Sequence, residues 1–155
     1  MRLCYFTKYR FFLFSFLLFI IFSCKKPVNY DQIDEEIILQ YIADNNLNAQ
    51  PTGSGLYYVI DNPGNGSQPN LNSTVTVAYV GKLTDGTIFD QSSSLGATFP
   101  LSNVIQGWQE GIPYFREGGS GILLIPSTLG YGSQSIGSIP ANSVLIFEIS
   151  LIHVF

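Results

Sequence analysis

Hydrophobic and polar positions divide the chain into stretches of different periodicity. The N-terminal stretch has basic residues, then a mainly apolar run over 11–22, then Ser23 and Cys24. Charged, apolar and small residues follow one another in this order in secretory signals. A membrane-spanning helix needs about 20 apolar residues, and Lys25 ends this run earlier. The pattern therefore predicts a signal peptide over 1–23.

The end of this run resembles a bacterial lipobox, in which a cysteine receives a lipid. Phe22 stands where a small residue is usual, so an uncleaved anchor and ordinary cleavage remain alternatives to lipidation at Cys24. Cys4 would be removed and Cys24 acylated, which leaves no thiol for a disulfide, a metal or a nucleophile. We expect an exported protein, held to the membrane by a lipid on Cys24, in the bacterial periplasm or outer membrane.

After a short tether, apolar residues recur at helical spacing among acidic ones: Ile33, Ile37, Ile38, Tyr41 and Ile42. This spacing predicts a short amphipathic helix that ends near Asn45 and Asn46, which are weak helix formers. The helix would be either a spacer or dimerisation element, giving a homodimer, or an element packed on its own domain. The turn-forming residues that follow separate a segment over 24–53 from a domain over 54–155.

Beyond this boundary the pattern changes to strands, over 56–60, 74–81, 122–125 and 144–155. Asp85-Gly86 predicts a hairpin and therefore antiparallel pairing. In the last strand, alternation directs one face to the core: Leu145, Phe147, Ile149 and Leu151. The sequence predicts an α+β fold.

One short helix is predicted between the strands. Ser102 and Asn103 would cap it, Val104, Ile105 and Trp108 would lie on it, and Pro113 would end it. We expect this helix to lie across the antiparallel sheet.

Charge and residue counts exclude several functions. The chain has 7 Lys and Arg against 11 Asp and Glu, and no basic cluster lies outside the anchor, which argues against nucleic acid as a partner. The single histidine, His153, argues against Ser-His catalysis. No metal-ligand cluster and no phosphate or dinucleotide motif is present, so we expect no metal and no cofactor.

Paired carboxylates are the one catalytic arrangement that residue counts leave open. Four acids lie in one stretch: Asp85, Asp90, Glu110 and Glu117. Their spacing in the sequence does not give their separation in space, so a glycosidase pair remains an alternative to ordinary surface acids.

Aromatic and branched residues near turns form the most specific pattern. They lie in the segments Val-Ala-Tyr79-Val-Gly-Lys-Leu, Asp-Gly-Thr-Ile-Phe89-Asp90, Val104-Ile105-Gln-Gly-Trp108-Gln-Glu-Gly, Ile-Pro126-Ser-Thr-Leu-Gly-Tyr131-Gly and Ile139-Pro140-Ala-Asn-Ser-Val-Leu-Ile-Phe147. Together and in this order, these segments resemble the FKBP family of peptidyl-prolyl cis-trans isomerases, from about Leu56 onward.

The resemblance implies an antiparallel sheet half-wrapped around one short α-helix, with an active pocket between them. Trp108 would form the pocket floor, and Ile139 would lie at the rim. The walls would be Tyr79, Phe89, Val104, Ile105 and Phe147, with Phe99 also in contact with substrate. The Ile105 backbone N–H and the Tyr131 hydroxyl would donate to substrate carbonyls, and Asp90 would face the twisted amide. The implied substrates are proline-containing polypeptides, such as exported proteins during folding.

The chain also departs from the family pattern. No basic residue stands between Asp90 and Phe99, where many relatives carry an arginine, and Ser138 precedes Ile139 in place of an apolar residue. No large insertion precedes Ile139, so we expect no separate chaperone flap. Two alternatives to an isomerase stay open: an FKBP-fold module that binds Pro-containing segments with weak turnover, and an unrelated β-rich surface domain such as a glycan binder.

Overall fold

A computed structural model describes residues 28–155, which form two α-helices and one antiparallel sheet. These elements are α1 (Tyr30–Asp44), β1 (Gln50–Pro51), β2 (Tyr57–Asn62), β3 (Thr74–Lys82), β4 (Ile88–Gln91), β5 (Ala97–Pro100), α2 (Gln106–Gly111), β6 (Ser120–Ile125) and β7 (Leu145–Val154). Within this range, neither helix is long and apolar enough to cross a membrane. The predicted signal peptide and Cys24 lie outside the described residues.

The sheet is built around its last strand. Its order is β1-β2-β6-β7-β3-β4, and β5 also pairs with β3. In the β3–β7 register, Tyr79 lies opposite Ile149 and Gly81 opposite Phe147. The β3–β4 connection is the predicted hairpin, with Gly86 at φ +88° where a residue with a Cβ would be strained. The antiparallel α+β prediction is confirmed.

Alternation along β7 separates two cores. The predicted inward face is buried at Leu145, Phe147, Ile149 and Leu151, which pack in the larger cluster with Trp108 of α2. Ile146 points to the opposite face and is also buried. The first part of β7 is therefore buried on both faces, whereas Glu148 and Ser150 farther along the strand are exposed on the outer face.

Helix α2 packs very close to the inner face of the sheet. A Cβ atom added at Gly107 would lie 2.4 Å from Ile125 Cγ2, and one at Gly111 would lie 2.6 Å from Leu123 Cδ2. Real Cβ atoms essentially never approach other atoms so closely, so a larger residue at either position would force the buried side chain of Ile125 or Leu123 to move. These two glycines therefore set the distance between the helix and the sheet.

The start of α2 differs from the prediction. The helix begins at Gln106, so Val104 and Ile105 precede it in extended backbone, with ψ of 175° and 151°. The predicted caps are wrong as well, because Ser102 and Asn103 lie in a separate 3-10 turn and Ile105 occupies the N-cap position without a side-chain bond. Extended backbone suits two β-branched residues, which lose side-chain freedom in a helix. The predicted end is confirmed, because α2 stops at Gly111 and Pro113 lies in the 3-10 turn that follows.

Helix α1 packs on the outer face of the same sheet. Ile38 is fully buried there with Val59, Leu124, Val144 and Ile146. The helix ends as predicted, with Asn45 at the C-cap. The structure thus has the arrangement in which the N-terminal helix packs on its own domain.

The apolar stripe of α1 is only partly buried against the sheet. Ile33 and Ile37 are 40% and 37% exposed, although their spacing predicted a buried face. Asp34 is fully buried instead. The stripe therefore predicted the helix correctly, but it did not predict which side of the helix packs against the sheet.

The segment boundary predicted between 53 and 54 falls in the connection between two paired strands of the sheet. Gln50 and Pro51 form β1 and pair with Tyr58 and Tyr57 of β2. The short strands β1 and β5 were not predicted, because two to four residues are too few for a clear alternation.

The contact between α2 and the sheet leads to a stability prediction. Ala has a higher helix propensity than Gly by about 1 kcal/mol, but Gly107→Ala should still lower the free energy of unfolding, by about 1–3 kcal/mol, because the new Cβ overlaps Ile125. Urea denaturation of the full chain, followed by Trp108 fluorescence, measures the change. The matched control is Gln106→Ala, at an exposed position of the same helix. Equal denaturation midpoints for Gly107→Ala and wild type would contradict the tight packing.

Candidate functional site

Aromatic rings from three strands converge on Trp108, which is 4% exposed. Tyr79 of β3 lies 5.1 Å from the indole between ring centroids, and Phe147 of β7 lies 5.3 Å away. Phe99 of β5 completes the set at 5.9 Å. All three pairs are nearly perpendicular, which is a favoured arrangement for aromatic rings. Trp108 is thus held from three sides.

Above the indole lies an open cavity of about 310 Å³. Its lining consists of Tyr79, Phe89, Asp90, Phe99, Asn103, Val104, Ile105, Trp108, Tyr131 and Phe147. Nine of these ten residues were predicted from the sequence. Asn103 was not predicted at the site, because its position in the chain suggested only a helix cap.

Ile139 is the predicted site residue that the structure does not bring into this lining. It is 5% exposed, packs in the inner core and forms a bridge with Ile136. The prediction of a rim position came from its motif, which does not specify how deeply the loop is buried.

Gly81 is a further contributor that the sequence did not reveal. Phe89 and Phe147 meet at 5.5 Å, edge to face, beside Gly81. A Cβ at this position would lie 2.6 Å from Phe89 and 2.8 Å from Phe147. A glycine within an apolar strand was the signal available, since it marks a close approach of other groups.

Asp90 is the only carboxylate in the cavity lining. Its Oδ2 accepts a hydrogen bond from the Tyr79 hydroxyl at 2.8 Å. Burial, followed by this bond and the nearby charge of Asp90, raises the pKa of Tyr79 to about 12. Burial and the Asp90 charge also raise the pKa of Tyr131. Both phenols therefore remain protonated, and able to donate, at neutral pH.

The other acids considered for a carboxylate pair have partners elsewhere. Asp85 accepts the Thr87 N–H in the hairpin, Glu110 accepts the Ser54 hydroxyl, and Glu117 accepts the Val154 N–H. None of these three lines the aromatic cavity. This cavity therefore contains no pair of carboxylates, the alternative that residue counts had left open.

Backbone donors are available where Val104 and Ile105 precede α2. The Ile105 carbonyl accepts the N–H groups of Trp108 and Gln109, which starts the helix. Within residues 28–155, the Ile105 N–H donates to no other group, and the buried Trp108 Nε1 also has no hydrogen-bond partner. Two donors at this cavity are thus free of competing bonds in the described part of the chain.

Other parts of the described chain offer less chemistry. His153 is exposed and lies 3.8 Å from Glu117, outside the cavity. No group of three His, Cys, Asp or Glu side chains among residues 28–155 could hold a metal ion. A larger groove of about 590 Å³ lies on the opposite face, but serines and other small side chains make up most of its lining. The aromatic cavity is therefore the candidate site.

Comparison with known proteins agrees with this geometry. The family model described as FKBP-type peptidyl-prolyl cis-trans isomerase matches residues 65–152. The FKBP-type peptidyl-prolyl cis-trans isomerase FkpA of Buchnera aphidicola subsp. Schizaphis graminum is 49% identical over 106 residues, covering 66% of this chain and 42% of that protein. The outer membrane protein MIP of Legionella longbeachae is 44% identical over 104 residues, covering 65% and 45%. The chain thus spans less than half the length of these curated relatives.

Solved structures show the same fold. A peptidyl-prolyl cis-trans isomerase from Pseudomonas syringae pv. tomato has a TM-score of 0.71 and 33% identity, covering 81% of this chain and 92% of that one. FkpA from Escherichia coli has a TM-score of 0.68 and 31% identity, covering 81% and 62%. The family model covers more than half of the chain, and the sequence motifs had already indicated the same family. This chain belongs to the family of FKBP-type peptidyl-prolyl cis-trans isomerases.

Proposed function

We propose that this chain accelerates the cis-trans isomerisation of X-Pro bonds in exported polypeptides. The observation that carries the proposal is an aromatic cavity with one carboxylate and free hydrogen-bond donors, but no nucleophile or acid-base pair in its lining. Such a lining suits a reaction that breaks no covalent bond.

The barrier to this reaction comes from amide resonance. Rotation about the bond loses that resonance, and the barrier is about 18–20 kcal/mol. The twisted amide is less charge-separated than the planar one. Transfer from water to an apolar cavity therefore costs the twisted amide less free energy than the planar one. A reduction of about 5–7 kcal/mol would accelerate rotation by ~10⁴–10⁵.

Several residues of the cavity lining would each make a different contact with the substrate. The proline ring would lie against Trp108, with the rings of Phe89 and Phe147 beside it. The Ile105 N–H and the Tyr131 hydroxyl would donate to substrate carbonyls, which orients the chain on both sides of the bond. Asp90, already bonded to Tyr79, would face the twisted amide.

A second candidate is an FKBP-fold module that binds Pro-containing segments and turns them over weakly. It is supported by the surroundings of Asp90, whose hydrogen-bond partner is a neutral phenol and which forms no ion pair with a basic side chain among residues 28–155. The two candidates differ in turnover, since both require the cavity to bind peptide.

Rate measurements on the full chain in mild detergent separate these candidates. With a short Ala-Leu-Pro-Phe peptide in a protease-coupled assay, we expect wild type to exceed the uncatalysed rate clearly. Tyr131→Phe should lower kcat/KM by about 3- to 10-fold, which corresponds to about 1 kcal/mol for one hydrogen bond.

The matched control is Tyr114→Phe, which removes a hydroxyl from an exposed tyrosine stacked on Tyr58, away from the cavity. It should keep the wild-type rate. Peptide binding that quenches Trp108 fluorescence without any acceleration would reject the isomerase and favour the binding module.

We also propose that the protein is exported and held at a bacterial membrane by a lipid on Cys24. The support is the signal-like N-terminus with its lipobox-like end, together with a relative named as an outer membrane protein. The client polypeptides would then be those that fold beyond the inner membrane.

Lipid attachment can be measured directly. In bacteria that express the full chain and are fed radiolabelled palmitate, we expect label on wild type and on Cys4→Ser, and none on Cys24→Ser. Equal labelling of wild type and Cys24→Ser would exclude a lipid at this cysteine.

A homodimer through α1 is a further proposal. Its support is the exposed part of the apolar stripe, where Ile33 and Ile37 line a shallow groove of about 370 Å³ with Tyr41. Sedimentation of the full chain in detergent should give twice the monomer mass, and Ile37→Glu should return the monomer. A wild-type monomer at about 100 µM would rule out a stable dimer, whose Kd should lie well below this concentration.

A further inference from the structure

Asp34 is a buried carboxylate on α1 that the cavity itself does not use. It is fully buried, and burial of such a group without partners is costly. Its Oδ2 accepts two hydrogen bonds from Ser127, one from the backbone N–H at 2.8 Å and one from the hydroxyl at 2.6 Å. Its Oδ1 has no partner among residues 28–155. All of its hydrogen bonding in the described region is thus directed at one residue.

Ser127 begins the turn that carries Tyr131. Its carbonyl accepts the N–H of Gly130 at 3.0 Å and the N–H of Gly132 at 2.8 Å. These two glycines stand directly before and after Tyr131 in the chain. Ser127 is therefore bonded to α1 on one side and to both neighbours of Tyr131 on the other.

Tyr131 has little else to hold its side chain. Its ring lines the cavity and is 36% exposed, and its hydroxyl makes no hydrogen bond within the described part of the chain. The position of the hydroxyl consequently depends on the backbone of the turn. Any movement of Ser127 would move this donor relative to a bound amide, and a misplacement of about 1 Å can slow a positioned reaction greatly.

We propose that Asp34 is a positioning residue for the site: by holding both donors of Ser127, it fixes the turn that places Tyr131 over the cavity. The proposal rests on the isomerase function proposed above. It also gives α1, which lies outside the region 65–152 matched by the family model, a part in the activity of the cavity.

A double-mutant cycle on the full chain tests the path from Asp34 to Tyr131. Asp34→Ala should lower kcat/KM by about 3- to 10-fold, comparable to Tyr131→Phe, and the double variant should be no slower than Tyr131→Phe alone. Asp34→Asn should recover activity to within about twofold of wild type, because its carbonyl oxygen still accepts from Ser127. Rates are corrected for the folded fraction, measured by Trp108 fluorescence.

The matched control is Glu35→Ala, next to Asp34 on α1. Glu35 accepts a hydrogen bond from Tyr57 on the sheet and, within the described residues, makes no hydrogen bond with Ser127 or with the residues that follow it in the turn. It should leave kcat/KM unchanged even if it lowers stability. If Glu35→Ala lowered kcat/KM as much as Asp34→Ala, the effect would come from the general packing of α1 on the sheet, and the proposal would be overturned. Additive losses of kcat/KM in the Asp34→Ala, Tyr131→Phe double variant would overturn it as well.

Hydrogen exchange keeps the test independent of activity. In Asp34→Asn and wild type, the Gly132 amide should exchange slowly, and in Asp34→Ala or Ser127→Pro it should exchange at least about tenfold faster while β7 amides remain protected. Unchanged protection of Gly132 in both disruptive variants would reject the positioning role. If wild type shows no isomerase rate, the proposed function fails, and exchange at Gly132 still decides whether Asp34 holds the turn.

Discussion

The close approach of α2 to the sheet is the contact on which the rest of the structure depends. Gly107 and Gly111 leave no room for a Cβ against Ile125 and Leu123, and Trp108 stands between them in the chain. The indole is therefore at a fixed height above the strands. Rings from β3, β5 and β7 meet it nearly at right angles. The cavity is the space these rings leave above the indole, and its shape follows from the packing beneath it.

This origin explains why the site contains so few reactive groups. A cavity made from the exposed edge of a core is apolar by construction, and polar groups enter only where loops and strand ends reach it. Asp90 comes from the end of a hairpin strand and Tyr131 from a turn. The Ile105 N–H comes from the extended backbone directly before α2. Such a site suits the proposed isomerisation, which requires an amide to be held in one shape and requires no exchange of protons or electrons with it.

Much of the fold and the site followed from local sequence patterns. Alternation along β7 identified the inner core, Asp85-Gly86 identified the hairpin, and the ordered motifs identified nearly all of the cavity lining. Each of these features is determined by a few neighbouring residues, because strand alternation and turn formation are local.

The features that were missed depend on contacts between distant segments. The contact of Asp34 with Ser127 joins residues 93 apart, and one Asp among several acidic residues of a helix gives no sign of it. The orientation of α1 and the burial of Ile139 likewise depend on the surface against which they pack. The start of α2 is a local feature, but two β-branched residues before a helix are compatible with either side of its boundary.

The position of β7 in the sheet has a consequence for biosynthesis. This strand lies between β6 and β3 and is the last of the sheet to leave the ribosome, so the two halves of the sheet cannot be joined before it has been made. Helix α1, synthesised long before, packs Ile38 against a surface that Val144 and Ile146 complete, together with Val59 and Leu124. Such non-local pairing delays folding until synthesis of the domain is complete. A chain of this design cannot complete its sheet before β7 has been synthesised, and this order would suit the export proposed above, in which folding follows passage through a narrow channel.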